Sequence, residues 1–257
     1  MSEALNMELV ELLTHSQHIV VFTGAGISTS SGIPDYRGPE GVWKTRTPVY
    51  FQEFMSSEEA RIRYWTQKTE DWEAFGQAEP NGVHLAIARL EQAGKLEMVL
   101  TQNVDGLHAE AGNSTQCLVE LHGTNRKVEC MSCGNQELAA GFYERFPREK
   151  VVPLCECGGF YKPATISFGQ NLREEDLARA QQSIQQVDLM IALGSTLSVQ
   201  PAASFTLFAA RAGVPYVIIN RGPTEHDGHP LVQMRLDGDV GEILPPAVDA
   251  ALAMQGM

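Results

Sequence analysis

The chain has 257 residues, 43% of them hydrophobic, enough to fill the core of one large domain or of one domain with a small insert. Its 32 acidic residues against 19 basic ones leave a formal charge of -13. That argues against duplex nucleic acid as the main partner, because phosphate binding needs a basic face, and it is compatible with basic, lysine-bearing protein segments. No stretch nears the ~18 apolar residues of a membrane span, Met1–Leu5 lacks the basic and apolar regions of a signal peptide, and four of the five cysteines form two tight pairs. These features predict no membrane partner and a reducing, cytoplasmic location.

In chain order, Leu5, Leu9, Leu12 and Leu13 fall at helical spacing and predict a helix over 3–15. The apolar run 18–22 reads as a buried parallel strand, and Gly24-Ala25-Gly26 follows it. A strand ending in Gly-x-Gly is where a backbone turns sharply and lets a pyrophosphate approach its N–H groups. As a dinucleotide fingerprint the stretch is incomplete, because Thr29 stands where G-x-G-x-x-G needs its third glycine. Residues 33–57 carry Pro, Gly and aromatics without a clean period and read as a long functional loop with short helical pieces. Residues 58–75 read as a helix packed through Tyr64, Trp65, Trp72 and Phe75. Asn81 suits the N-cap of the next helix and Gly94 its end. Strands follow at 97–101 and 117–121, the first leading into Gln102-Asn103-Val104-Asp105 and the second into His122-Gly123.

The pattern breaks over 124–165 and resumes with a helix at 172–186, a strand at 187–193 closed by Gly194-Ser195-Thr196, a helix at 201–212 and a strand at 214–219 closed by Asn220-Arg221-Gly222. A short strand near 234–236 and a helix from about Pro245 complete the chain. This alternation predicts an α/β fold: a Rossmann-like doubly wound parallel sheet with a smaller zinc-binding and helical module inserted. Residues 1–122 and 166–257 would form the Rossmann-like unit, with 33–80 as its lid loop and helical insert and 123–165 as the zinc-binding module. Loops at the carboxyl ends of the strands then converge on one crevice.

Cys130-x2-Cys133 with Cys155-x-Cys157 suits a tetrahedral site of four thiolates, which leaves no open position and makes one zinc structural; unliganded thiols and a pair of disulfides are the alternatives. Cys117, in an apolar strand, reads as a small core residue. His122 stands at a strand end, where a near-neutral imidazole suits a general base, or a structural hydrogen-bonded histidine. His108 competes with it but falls on a helix, and His84 reads as a packing histidine. Gln102, Asn103 and Asp105 suit a carboxamide or sugar hydroxyls, or an Asx turn capping the next helix. Arg37 suits a phosphate or a surface ion pair.

Gly24–Ser28, Gly32-Ile33-Pro34-Asp35-Tyr36-Arg37, Thr101–His108, Leu121-His122-Gly123, the cysteine pairs, Lys162-Pro163, Phe168-Gly169, Gly194–Val199 with Pro201, and the Asn220 turn resemble the sirtuins, in order, from about residue 15 to 245. The segment 219–224, with Tyr36, resembles the bacterial and mitochondrial branch. The resemblance implies that NAD, a co-substrate, lies across the carboxyl edge of the sheet. Gly24, Ala25, Gly26, Ile27 and Ser28 would contact its pyrophosphate, beside Asp35, Tyr36 and Arg37. Gln102, Asn103, Val104 and Asp105 would line the nicotinamide and its ribose. Gly194, Ser195, Thr196, Asn220, Arg221, Gly222 and Val240 would hold the adenosine half.

The implied reaction removes an acyl group, acetyl first, from a protein lysine. The acyl oxygen attacks C1′ of the nicotinamide ribose, nicotinamide leaves, and His122 then acts as general base on a ribose hydroxyl. Asn103 and Asp105 join His122 as the catalytic set, and the products are free lysine, nicotinamide and O-acyl-ADP-ribose. Tyr64, Gln67, Phe168 and Gly169 are the implied contacts for the acylated-lysine substrate.

Two departures stand out. Tyr36 replaces a common Phe, which makes the shield over the nicotinamide site more polar. Members preferring anionic acyl groups carry Ala-x3-Tyr-x2-Arg, whereas here Ala60 and Tyr64 are followed by Gln67, which cannot supply a charge-assisted fork; Arg61 or Arg63 compensates only if the helix aims it inward. The alternatives are ADP-ribosyl transfer, another acyl group, or a non-catalytic NAD sensor, which would not need a base at the crevice. Thr29 disfavours a hydride-transferring dehydrogenase.

Overall fold

Short apolar runs with no polar alternation suit strands covered on both faces, and such strands make the centre of this molecule. The computed structural model describes residues 6–38 and 41–255. In chain order the elements are α1 (Met7–His15), β1 (Ile19–Thr23), α2 (Phe51–Ser56), α3 (Glu58–Gln77), α4 (Gly82–Gln92), β2 (Leu96–Thr101), α5 (Leu107–Glu110), β3 (Leu118–Glu120), β4 (Gly123–Cys130), β5 (Gln136–Leu138), α6 (Ala140–Glu149), β6 (Tyr161–Thr165), α7 (Glu174–Ser183), β7 (Leu189–Leu193), α8 (Ser204–Arg211), β8 (Tyr216–Asn220), β9 (Met234–Asp237) and α9 (Val240–Gln255).

Six strands form one parallel sheet in the order β3-β2-β1-β7-β8-β9, and β1, β7 and β8 are buried along their whole length. Side chains alternate between two cores. Val21, Val99, Ile191 and Val217 pack with α1, α4 and α9 on one face, while Phe22, Leu100, Met190 and Ile218 pack with α7 and α8 on the other. The strand order reverses between β1 and β7, which is the topological switch point where such sheets open a crevice. No helix among the described residues is long and apolar enough to cross a membrane.

The second sheet is antiparallel, in the order β5-β4-β6. The chain enters it through Gly123, whose φ is +71°, and a Cβ there would stand 2.0 Å from the Ala164 carbonyl oxygen, so glycine is required. Residues 33–80 read as an insert of the Rossmann-like unit, yet α2 and α3 bury Phe54, Tyr64 and Trp65 against Val128, Phe142, Tyr143, Phe146 and Tyr161. The helical insert and the cysteine-bearing segment therefore share one small core, a lobe beside the large sheet.

Element ends differ from the sequence reading in places with clear causes. Helix α1 starts at Met7 because the Asn6 side chain accepts the Leu9 N–H at 3.0 Å; residues 3–5 of the expected helix lie outside the described residues. Helix α9 starts at Val240, not near Pro245, because Asp239 caps it, its carboxylate accepting the Gly241 N–H at 2.7 Å, and Pro245 and Pro246 are carried inside the helix. Segment 124–165 holds three strands and a helix that no single period announces.

Candidate active site

The two strands at the switch point end glycine against glycine. Gly26 N–H donates to the Gly194 carbonyl at 2.9 Å, and Gly24 N–H to the Leu193 carbonyl at 3.0 Å. A Cβ on Gly24 or Gly26 would fall 2.7 or 2.8 Å from the Gly194 oxygen, and Gly194 itself has φ +58°. Backbone meets backbone here, so no side chain fits and a ligand can reach bare peptide groups. These glycines open onto a cavity of about 1270 Å³, larger than the ~300–1,000 Å³ of an ordinary single-ligand site.

Most of the residues expected at the site line this cavity: Gly24, Ala25, Gly26, Asp35, Tyr36, Arg37, Tyr64, Gln67, Gln102, Asn103, Val104, His122, Phe168, Gly169, Gly194, Ser195, Thr196, Asn220, Arg221, Gly222 and Val240. Three expected nucleotide contacts, Ile27, Ser28 and Asp105, do not. Ile27 is buried in the sheet core. Ser28 is buried behind the loop and donates to Asp105 Oδ2 at 2.8 Å. Asp105 Oδ1 accepts the Leu107 N–H at 2.9 Å, an Asx-type cap on α5. Both side chains brace the wall from behind, since Asn103 Nδ2 donates to Ser28 Oγ and to the Gly24 carbonyl, each at 3.2 Å.

His122 stands where β3 leads toward β4. Its Nδ1 lies 3.1 Å from the Gln102 carbonyl oxygen, which can only accept, so Nδ1 carries the proton and Nε2 keeps its lone pair. Burial holds the imidazole below the ordinary histidine value, and the positive charge of Arg37 pushes the same way, against the opposing hydrogen bond to Gln102. The ring is thus a neutral base at neutral pH. The other histidines of the region are different. His108 is buried against Thr23, with Nε2 3.0 Å from Thr23 Oγ1, and burial together with His84 pushes it down to about 3. His84 is fully buried, its ring centre 5.0 Å from that of His108.

The facing wall is made of side chains. Tyr36 stacks on Trp43 at 5.2 Å, and Trp43 meets Phe168 edge-on at 6.1 Å. The Phe168 carbonyl accepts the Phe51 N–H at 2.9 Å, tying that ring to α2. Further along, the Tyr64 hydroxyl lies 3.0 Å from Thr165 Oγ1. Burial opposes its ionisation, but the Lys162 and Lys68 ammonium groups and the hydrogen bonds to Ser167 and Thr165 outweigh it and bring the phenol down to about 8. Gln67 donates to the Thr47 carbonyl at 3.1 Å. Neither candidate arginine turns inward. Arg61 lies over the Phe160 ring and donates to the Phe54 and Met55 carbonyls, while Arg63 pairs with Glu53. Trp43 and Lys68 line the cavity and escaped the sequence reading, because neither belongs to a periodic run or a recognisable spacing.

The four paired cysteines converge: their sulfurs all lie within 4.8 Å of one another, with Cys130–Cys157 at 3.5 Å and Cys133–Cys155 at 3.8 Å. These are far beyond the ~2.05 Å of a disulfide and close to the separation that ~2.3 Å zinc–sulfur bonds impose on a tetrahedron. Gly159, absent from the sequence reading, is required beside them, since a Cβ there would meet Cys130 Sγ at 2.7 Å. The donor set fits one structural zinc, held by Cys130, Cys133, Cys155 and Cys157. Cys117 is half-buried against the sheet core and apart from this cluster.

The profile of the Sir2 family matches residues 24–201. The chain is 40% identical to an NAD-dependent protein deacetylase of Rhodopseudomonas palustris, over 94% of this chain and 95% of that one. It is 41% identical to NAD-dependent protein deacetylase 1 of Bradyrhizobium diazoefficiens, over 93% and 94%. A solved complex of a Sir2 protein with a p53 peptide and NAD+ superposes with a TM-score of 0.80 at 34% identity, covering 98% of each chain.

Proposed function

The chain belongs to the Sir2 family, and on that premise we propose that it removes acetyl groups from protein lysines at the expense of NAD, releasing nicotinamide and O-acetyl-ADP-ribose. One observation carries the reading: a neutral His122, its Nδ1–H held by Gln102, sits on the wall of a cavity that has a bare glycine cradle on one side and aromatic rings on the other. NAD, when bound, supplies the ADP-ribosyl group that accepts the acyl chain. In this reading Gly24, Ala25 and Gly26, with Arg37, receive the pyrophosphate; Gly194, Ser195 and Asn220 receive the adenosine half; and Asn103 and Val104 receive the nicotinamide ribose. Ser28 and Asp105 act from behind by fixing Asn103. Tyr36 and Phe168 exclude water, and His122 takes the proton of a ribose hydroxyl.

The same reading divides the chain into a Rossmann-like unit, 1–122 and 166–257, whose insert 33–80 packs its helices on the second unit, the zinc module 123–165. Paired cysteines that converge as one metal-ligand set, not as disulfides, support placing the protein in the cytoplasm, and the acidic charge supports basic protein segments, not nucleic acid, as partners. A sensor that merely bound NAD would have no use for a positioned base.

Lys68 favours a second reading. It lines the cavity one helical turn from Tyr64, with the Asn125 side-chain carbonyl at 3.3 Å as its polar contact and no carboxylate partner among the described residues. A carboxylate-ended acyl group would find its charge there. Mass spectrometry of acetyl, propionyl and succinyl peptides, with and without NAD, separates the readings. The acetyl peptide is expected to be consumed fastest and only with NAD. Succinyl consumption that is sensitive to Lys68→Met would favour the second reading, and no NAD-dependent nicotinamide release on any peptide would sink both.

A further inference from the structure

The loop that carries Asn103 and Val104 is held from two directions. Ser28 and Asp105 brace it from the large sheet. The second hold comes from the cysteine-bearing segment and has its origin in a strand irregularity. Strand β4 pairs with β6 at Gly123 and again from Val128, but its register breaks between them. Residues 124–127 fall in that gap, and two of them, Asn125 and Arg126, bond to the loop instead. Asn125 N–H donates to the Val104 carbonyl at 2.8 Å, and Arg126 Nε–H donates to the Asp105 carbonyl, also at 2.8 Å.

Arg126 is shaped for this contact. Its guanidinium is braced by Glu110 at 2.6 Å, one turn into α5, and its stem lies flat over Gly106. Gly106 has φ +77°, and a Cβ there would stand 3.1 Å from Arg126 Cγ and Nε, so the glycine also leaves room for the arginine. The Arg126 carbonyl in turn accepts the Ala139 N–H at 3.0 Å, at the start of α6. Among the described residues, Arg126 is the one side chain of 123–165 that hydrogen-bonds to residues 102–106.

We propose that Arg126 is a positioning residue: braced by Glu110, it locks the Asn103–Asp105 loop to the zinc module and so makes the geometry of the nicotinamide end of the cavity depend on the integrity of that module. A charged donor on a backbone carbonyl, in a partly shielded site, is the stronger kind of hydrogen bond. Its loss loosens the loop without touching the glycine cradle, the adenosine end or the acyl-lysine wall. The assignment of the nicotinamide end rests on the deacetylase reading above.

The test compares Arg126→Met, Arg126→Lys and Glu110→Gln with the unaltered protein. For Arg126→Met, the KM for NAD and the nicotinamide concentration giving half-inhibition are expected to rise about tenfold, with the KM for acetyl peptide within about twofold and zinc content unchanged. Backbone amides of 103–107 should exchange hydrogen faster. Arg126→Lys, which still donates to the Asp105 carbonyl, should recover most of the loss, and Glu110→Gln should move the same quantities less. Unchanged NAD KM, nicotinamide inhibition and loop exchange in folded, zinc-loaded Arg126→Met would overturn the proposal, as would an equal rise in both KM values. If the unaltered protein deacylates no peptide, the deacetylase reading fails, and loop exchange in the variants alone decides whether Arg126 holds the loop.

Discussion

The two walls of the cavity are built by different physics. The sheet wall is backbone: Gly24, Gly26 and Gly194 meet at hydrogen-bond distance, strands buried on both faces stand behind them, and a Cβ at any of the three would strike main chain. The lobe wall is side chain: Tyr36, Trp43 and Phe168 touch ring to ring, and Tyr64 lies over the small core that α2 and α3 share with the cysteine-bearing segment. A backbone wall offers a fixed cradle for a ligand common to every turnover. A side-chain wall repacks, which suits a peptide that enters and leaves. The lobe is small enough that a metal is expected to supply a large part of its stability.

Breaking the lobe wall should have the largest effect and leave the other wall standing. Cys133→Ser removes one of four thiolates, and zinc content and peptide deacetylation are expected to fall together. Binding of ADP-ribose, which lacks the nicotinamide, should change by no more than about twofold, as read by calorimetry. Equal loss of ADP-ribose binding would mean that the walls are not separable. Breaking the sheet wall should do less to the fold and more to the nucleotide. Gly26→Ala forces a Cβ to within 2.8 Å of a carbonyl oxygen that has nowhere to move. The expected cost is about 1–3 kcal/mol of stability, seen as a lower thermal midpoint, with weakened ADP-ribose binding and unchanged zinc.

The smallest effect tests the link across the cavity. In the proposed reaction His122 works as a base only when neutral, and both burial and Arg37 lower its pKa, so the acid limb of the pH–kcat/KM profile is expected below the ordinary histidine value of ~6.5. Arg37→Ala removes the positive neighbour and should move that limb upward. A limb that stays put or moves down would show that Arg37 does not act on His122.

The same contrast governs what could be read in the sequence. Strands β1, β2, β7 and β8 were legible because an uninterrupted apolar run closed by a glycine or an amide has few other solutions, and their loops, Gly24–Gly26, Gln102–Val104, Gly194–Thr196 and Asn220–Gly222, do meet on one cavity. The four cysteines were legible from spacing, since paired ligands carry their own geometry. Of the lobe wall, Tyr36, Tyr64 and Phe168 were named through the family resemblance, whereas Trp43 and the packing behind these rings were not legible. The inward face of α3 is set by Phe142, Tyr143 and Phe146, far along the chain, and segment 124–165 has no period because its core is aromatic contact and sulfur. Asp105 and Ser28 were recognisable as polar residues at a strand end, but that they face each other behind the wall follows from packing that spacing does not encode. Arg126 carries no motif; its place depends on a register break.

Whether His122 acts as a base after nicotinamide has left is tested by exchange of labelled nicotinamide into NAD, measured alongside deacetylated peptide, for the unaltered protein and His122→Ala. His122→Ala is expected to keep acetyl-peptide-dependent exchange and zinc while peptide turnover falls about 10²–10⁴-fold. Turnover retained at the unaltered level, or exchange and turnover lost in equal measure, would contradict that role.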